Sequence, residues 1–164
     1  MIQVRRARSD DLAFILALEK HFAELGFVGS DSEQVHVQRL DSPGAAYFVV
    51  ECDNQPVGFA ILCSLNSINR SIELKRVVVS EPGHGIGREA IRQVTNMAFT
   101  KLSAHRLWLD VYSDNERARR TYRALGFVEE GTLRECIWHD NRFRSLVLMS
   151  MLEEEFRPNR RKEL

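Results

Sequence analysis

The chain has 164 residues, 44% of them apolar and 28% charged, with 23 basic side chains balanced by 23 acidic ones. That length bounds it to one domain or a two-lobed one, and such a domain buries roughly two-thirds of its unfolded surface, enough for a core without staples. Zero net charge argues against a global electrostatic grip on nucleic acid or an anionic membrane, and no apolar run approaches the roughly 20 residues of a membrane span. The opening MIQVRRARSDDL lacks the apolar core of a secretory signal. Cys52, Cys63 and Cys136 form no CxxC and no Cys/His ligand spacing, so neither a disulfide framework nor a metal site is expected. Together these features predict a cytoplasmic protein.

In chain order, Ile2–Arg6 alternates apolar and basic residues and reads as a short strand. Ser9, Asp10 and Asp11 offer N-caps for a helix carrying Leu12, Ile15, Leu16 and Leu18. Gly26 and Gly29 break that pattern around Phe27–Ser30, and a second helix starts at Ser30 or Asp31 and ends before Ser42-Pro43-Gly44. Tyr47–Glu51 and Val57–Ser64 flank Asp53-Asn54-Gln55-Pro56 as a hairpin, and Ser71–Val79 completes an antiparallel meander after a turn at Ser67–Arg70.

The pattern then changes. Glu81–Gly87 is glycine-rich, and a helix runs from about Gly87 to Leu102 on the spacing of Ile91, Val94, Met97-Ala98 and Leu102. Leu107–Tyr112 is a strand again, so strand, helix and strand form a crossover whose strands are parallel neighbours. Asp114-Asn115 caps a helix with Ala118, Tyr122 and Leu125 on one face, and Gly126 stops it. Val128–Trp138 and Arg142–Leu152 close the domain as a hairpin around His139-Asp140-Asn141, an outer edge at which a homodimer is possible. A single domain over residues 1–156 is expected, followed by a charged, loose tail from Arg157 to Leu164.

The glycine turn is where chemistry concentrates. Gly83, Gly85 and Gly87 lie between an apolar strand and a helix start, where backbone can approach a ligand and free N–H groups point at an anion. Arg88 adds a positive charge in a first helical turn that the helix dipole disfavours, which fits an anionic ligand. A ligand-free tight turn is the simpler alternative, but each glycine would then cost chain entropy for nothing. The GK[ST] of a Walker loop is absent, and the GxGxxG dinucleotide fingerprint fails because Arg88 stands where its third glycine belongs. Asp110 sits where a ribose-binding acid would fall, which keeps a nucleotide-binding oxidoreductase open as a weak rival.

VVVSEPGHGIGREAI resembles the acyl-CoA pyrophosphate loop of the GNAT N-acyltransferase superfamily, whose pattern is Arg/Gln-x-x-Gly-x-Gly/Ala. HRLWLDVYSDNERARRTYRALGFVEEGTLRE resembles that superfamily's C-terminal half, especially the ribosomal-protein-alanine and spermidine acetyltransferase-like branch. The likeness runs from about Ser71 to Glu155, with Asn115, Ala118, Tyr122 and Gly126-Phe127 in order; Pro82 stands where the family has Arg or Gln. The resemblance implies an α+β fold with a mixed, largely antiparallel sheet of six or seven strands, a splayed parallel pair at its centre, and about four helices. It further implies acetyl-CoA as co-substrate. Its pantetheine would pair with backbone near Val77 and Val79, its diphosphate would lie on Gly83, His84, Gly85, Ile86, Gly87 and Arg88, and Asn115, Ala118 and Arg119 would wall the far side. Arg117, Arg120 and Arg123 join Arg119 in a local positive cluster, which a solvated helix face explains equally well.

Acyl transfer to an amine poses two proton problems. A lysine-type amine starts at a pKa of about 10.4 and a terminal amine at about 7.7–8.0, so each must lose a proton, and the departing thiolate gains from one. Glu73, mid-strand with Lys75 on the same face, is the candidate base through a water; burial would raise its pKa and the lysine would lower it. A structural Glu73–Lys75 pair is the alternative. The resemblance gives Tyr122 the role of acid toward the sulfur, against a plain core aromatic. A backbone N–H near Val77 would meet the charge developing on the acetyl oxygen. No serine or cysteine is placed to carry an acyl group, so direct attack in a ternary complex is expected. The acceptor stays open among a protein N-terminus, a polyamine and a small amine; Glu19, Glu24, Asp31 and Glu33 lean toward a cation. A non-catalytic acyl-CoA-binding module is the rival from another class.

Overall fold

The structure is a computed structural model that describes residues 1–160, with side chains through residue 156. The elements follow as β1 (Ile2–Arg6), a single 3-10 turn at Ser9–Asp11, α1 (Leu12–Glu24), α2 (Glu33–Leu40), β2 (Ala45–Cys52), β3 (Gln55–Cys63) and β4 (Ser71–Val79). Then come α3 (Ile86–Thr100), β5 (Arg106–Tyr112), α4 (Glu116–Ala124), β6 (Val128–His139), β7 (Arg142–Leu152) and α5 (Glu153–Arg160). The seven strands form one sheet in the order β1-β2-β3-β4-β5-β7-β6. All neighbours are antiparallel except β4 and β5. Among the described residues no helix is long and apolar enough to cross a membrane.

The expected splay is present. β4 and β5 are in register only from Ser71–Glu73 against Arg106–Trp108; beyond that the strands part, and the main-chain groups of β4 after Leu74 have a strand partner on the β3 side alone. A β-bulge sharpens the effect. Ile61 pairs with Arg76 and Leu62 with Leu74, which leaves Lys75 as the extra residue of β4. The side-chain alternation therefore reverses at Lys75. Ile72 and Leu74 before it, and Val77 after it, all pack in the core beneath α3 with Ile91, Val94 and Ala98. Val78 turns instead to the α1 side, among Ile15, Phe22 and Phe59.

Local chemistry accounts for most boundaries. Asn115 caps α4 by accepting from the Ala118 N–H at 3.2 Å, and Gly126 ends it with φ of 100°. The β2–β3 turn is tighter than the sequence suggested. Asp53 and Asn54 take φ of 50° and 65° and make a two-residue reversal, so Gln55 and Pro56 belong to β3. The second helix begins at Glu33, two residues past Asp31, because the Ser32 hydroxyl takes the Val35 N–H. The C-terminus differs more. In place of a loose tail from Arg157, α5 runs from Glu153 to Arg160. Three glutamates in its first turn suit the helix dipole, and Phe156 stacks on Phe99 at 4.8 Å. Residues 161–164 of the expected tail lie outside the described residues.

Candidate active site

The parting of β4 and β5 opens a cavity of about 470 Å³. Val77, Val78 and Val79 of β4 form its floor, the turn before α3 one end, and α4 the far wall through Asn115, Ala118 and Tyr122. Of the residues anticipated from sequence, Val77, Val79, Gly83, Gly85, Gly87, Arg88, Asn115, Ala118 and Tyr122 meet here. They come from β4, the turn into α3, and α4 with its cap. Among the described residues, no serine or cysteine lines the cavity.

The glycine turn is built to present main-chain N–H groups. Gly83 and Gly85 take φ of 108° and 76°, conformations an L side chain resists, and Gly85 is the N-cap of α3. The first helical bond of α3 is Glu89 N–H to the Gly85 carbonyl. Among the described residues, no main-chain N–H from Gly83 to Arg88 has a protein acceptor. An anion is the complementary occupant, since the helix N-terminus carries partial positive charge. Two guanidinium groups reinforce it. Arg88 and Arg117 both line the cavity, neither has an ion-pair partner among the described residues, and Arg117 Nη2 would lie 3.5 Å from a Cβ on Gly83.

Several anticipated residues are not brought in. Arg119 is turned away: its Nε and Nη2 grip the Glu129 carboxylate at 3.0 and 3.2 Å, and its Nη1 donates to the Ser113 carbonyl at 2.8 Å. The His84 side chain stands exposed off the turn, and that of Ile86 is buried with Val50 and Ala90. Their main-chain N–H groups have no protein acceptor among the described residues. Glu73 lies outside the lining; Lys75 Nζ sits 3.6 Å from its carboxylate, the structural pairing weighed above.

Tyr122 is the most perturbed group in the cavity. Its ring packs edge-on to Phe127 at 5.6 Å, and its hydroxyl has no hydrogen-bond partner among the described residues. Burial, and secondarily the negative charge of Asp110, push its pKa up to about 12. It is therefore a fully protonated donor at neutral pH. Sequence reasoning gave Asp110 only the ribose role. In the structure it lies on β5 just past the last β4–β5 pair, exposed and without a counter-ion among the described residues. Because Glu73 and Trp108 are paired in parallel register and Asp110 is two residues on, Glu73 and Asp110 point to the same face of the sheet.

That face carries α1 and α2, and it uses acidic residues in an unexpected way. Glu19 and His36 are 1% and 0% exposed. Glu19 meets His36 Nε2 at 2.8 Å and Arg76 Nε at 3.1 Å, while Asp31 accepts from Arg39 at 2.7 Å and from Arg76 at 3.1 Å. The other His36 nitrogen meets the Tyr47 hydroxyl at 2.8 Å. Glu19, Asp31 and His36 offer ligand atoms within 4.8 Å of one another. A cation there would have to displace two guanidinium groups that already neutralise both carboxylates. Of the four acidic residues expected to greet a cationic acceptor, Glu24 and Glu33 alone are left exposed. Apolar side chains of Phe22, Phe27 and Val28 line the cavity from this side, a role that no local pattern in their stretch of chain signals.

The chain is similar to several known proteins. Spermidine N(1)-acetyltransferase of Escherichia coli K12 is 24% identical over 163 residues, covering 94% of this chain and 88% of that protein. The putative ribosomal N-acetyltransferase YdaF of Bacillus subtilis is 30% identical over 105 residues, 63% of this chain and 57% of that protein. The crystal structure of spermidine N-acetyltransferase from Vibrio cholerae in complex with CoA and spermine superposes with a TM-score of 0.84 at 25% identity, covering 94% of this chain and 97% of that one. A structure of the Vibrio cholerae enzyme in complex with manganese ions gives 0.82 at 26% identity, covering 96% of each chain. The acetyltransferase (GNAT) family model matches residues 14–127. With the family model covering well over half of its length, this chain belongs to the GNAT acetyltransferase family.

Proposed function

We propose that this acetyl-CoA-dependent N-acetyltransferase passes the acetyl group directly to a polyamine-type primary amine, without an acyl-enzyme stage and without a metal in the transfer step. The observation that carries the reading is the row of unpaired amides from Gly83 to Arg88, set at one end of a cavity whose wall holds the partly buried, protonated Tyr122. Diphosphate rests on the amides with Arg88 and Arg117, and pantetheine runs along Val77–Val79 as an added strand. The sulfur end then reaches Tyr122. The amine attacks the thioester carbon, the C–N bond forms and the C–S bond breaks. The nitrogen's surplus proton leaves to a carboxylate on the α1–α2 face, and the thiolate is received by the Tyr122 hydroxyl.

A phenol at about 12 does not surrender its proton to a thiolate whose conjugate acid lies at about 8.5. Tyr122 therefore works as a hydrogen-bond donor to the developing negative sulfur. Glu73, acting through a water, is the base expected from sequence. Asp110 is the second candidate, favoured by its lack of a counter-ion and its influence on Tyr122. The names of the relatives support a polyamine acceptor, and the exposed carboxylate of Asp110 suits an ammonium group. The free cysteines and the absence of long apolar helices among the described residues fit a cytoplasmic site of action.

Acetyl-CoA at 100 times its Kd adds about 2.7 kcal/mol to stability, a readily measured rise in Tm. Thiol release is then followed with spermidine, spermine and a peptide bearing an N-terminal alanine. Release with the polyamines, lost more completely in either Glu73→Gln or Asp110→Asn, supports the reading and picks the base. A Tm rise with no release from any amine would leave a CoA-binding module instead. Release from the peptide alone would replace the polyamine with a protein N-terminus.

A further inference from the structure

We propose that Arg144 is a positioning residue of the acceptor side: from β7 its guanidinium fastens the connection between α1 and α2 to the residue before the cap of α4, and so holds Phe27 and Val28 where the amine enters. The inference rests on the acyl-transfer reading of the cavity. Arg144 is 8% exposed. Its Nη1 donates to the Gly26 carbonyl at 2.8 Å and its Nη2 to Asp114 Oδ1 at 2.8 Å, partners 118 and 30 residues away along the chain. Each stands immediately before a residue that lines the cavity, Phe27 from the α1 side and Asn115 from the α4 side. One planar fork therefore joins two walls, a reach that a point-like ammonium lacks.

The surroundings fix the direction of the fork. Its Cζ lies 3.5 Å from the centre of the Tyr112 ring, a cation held against an aromatic face. Tyr112 is two residues past Asp110 on β5, so both point to the α1–α2 face. Gly26 can offer its carbonyl because it ends α1 in a left-handed turn with φ of 78°. There the Gly26 N–H donates to the Ala23 carbonyl and the Phe27 N–H to the Phe22 carbonyl. Phe27 then rests against Phe22, ring centres 6.4 Å apart, and stays 51% exposed. The far end of the connection is tied by Arg76 of β4, 3.1 Å from the Asp31 carboxylate. In the strand order β4-β5-β7 the connection thus spans β5, on the face that carries Asp110. Burying a guanidinium costs more solvation than burying an apolar side chain of like volume, so stability alone does not call for arginine at this place.

Arg144→Met keeps the volume and removes both bonds. It should raise KM for spermidine about tenfold, with kcat and KM for acetyl-CoA within about threefold, since the amides from Gly83 to Arg88 are untouched. Arg144→Lys keeps a charge beside Asp114, so it should melt nearer the unaltered chain and still raise that KM. Phe27→Ala should raise it too. The double variant Arg144→Met with Phe27→Ala should be no worse than the worse single, because one residue acts through the other. Exchange of the Gly26 and Phe27 amide hydrogens should quicken about tenfold in Arg144→Met, a readout that needs no turnover. An unchanged KM for spermidine in both Arg144 variants, KM effects that add with Phe27→Ala, or unaltered exchange at Gly26 and Phe27 would each overturn the proposal while acyl transfer stands. An unaltered chain that binds acetyl-CoA but releases no thiol with spermidine would instead sink the polyamine reading, and the proposal with it.

Discussion

Replacing Tyr122 with phenylalanine removes one oxygen and leaves the ring against Phe127. That oxygen has no protein hydrogen-bond partner among the described residues, so the folded state loses no bond and Tm should hold within a degree or two. Catalysis should suffer. Positioned proton donors contribute about 10²–10⁴-fold, and the mismatch between a phenol at about 12 and a thiol at about 8.5 sets the expectation at the lower end. We expect kcat to fall about 100-fold, equivalent to about 2.7 kcal/mol of barrier, with KM for acetyl-CoA unchanged. The pH profile adds a second readout. Because the phenol keeps its proton to about 12, activity of the unaltered enzyme should rise through pH 8–10 as the amine deprotonates, with no falling limb from Tyr122. The assay is thiol release with spermidine across pH 6–10.5, beside thermal unfolding. A loss of kcat under threefold would refute the reasoning, and so would a falling limb near pH 10 that vanishes in the variant.

Arg117→Ala should raise KM for acetyl-CoA about tenfold at unchanged Tm, whereas Arg119→Ala should melt a few degrees lower with that KM intact, because Arg119 is engaged by Glu129 and Ser113; equal effects on KM would reverse the assignment. A Cβ at Gly58 would meet the Val78 carbonyl oxygen at 2.5 Å and Val79 Cγ1 at 2.9 Å, so Gly58→Ala should cost roughly 1–3 kcal/mol in urea unfolding and weaken acetyl-CoA binding by displacing the cavity floor. Arg5 holds the Asp11 carboxyl below its ordinary 3.8, and Arg144 does the same for Asp114. The folded form therefore binds fewer protons than the unfolded one, and this stability, complete above about pH 5, should fade as pH drops through 4 and below; a Tm flat from pH 6 to pH 3 would contradict it.

Much of this architecture is legible in the sequence because local chemistry and tertiary packing agree. Asn115 and Gly126 read as cap and stop and act as both. The glycine turn announces itself through residues that no other conformation rewards. What the sequence conceals is direction. Four arginines of α4 share a composition, yet helix geometry sends Arg117 to the cavity and Arg119 to Glu129, which lies across the α4–β6 gap. The bulge at Lys75 is equally silent; it reverses the alternation and parts Val77 from the face of Glu73. Acidic residues near the entrance looked like a greeting for a cation, but Arg76, forty-five positions from Asp31, claims two of them. Pairings across such separations have no local signature. The last helix has no local signature either, since a charged stretch reads as solvent-seeking until Phe99 gives Phe156 something to rest on.

The three-residue parallel ladder between Ser71–Glu73 and Arg106–Trp108 has a consequence for how the molecule opens. Among the described strands it is where a meander of four meets a block of three, so the two sides should exchange their amide hydrogens as separate cooperative units. A thioester laid into the gap would stitch that seam from the other end. Saturation with acetyl-CoA should then slow exchange in both units together, far from any atom it touches.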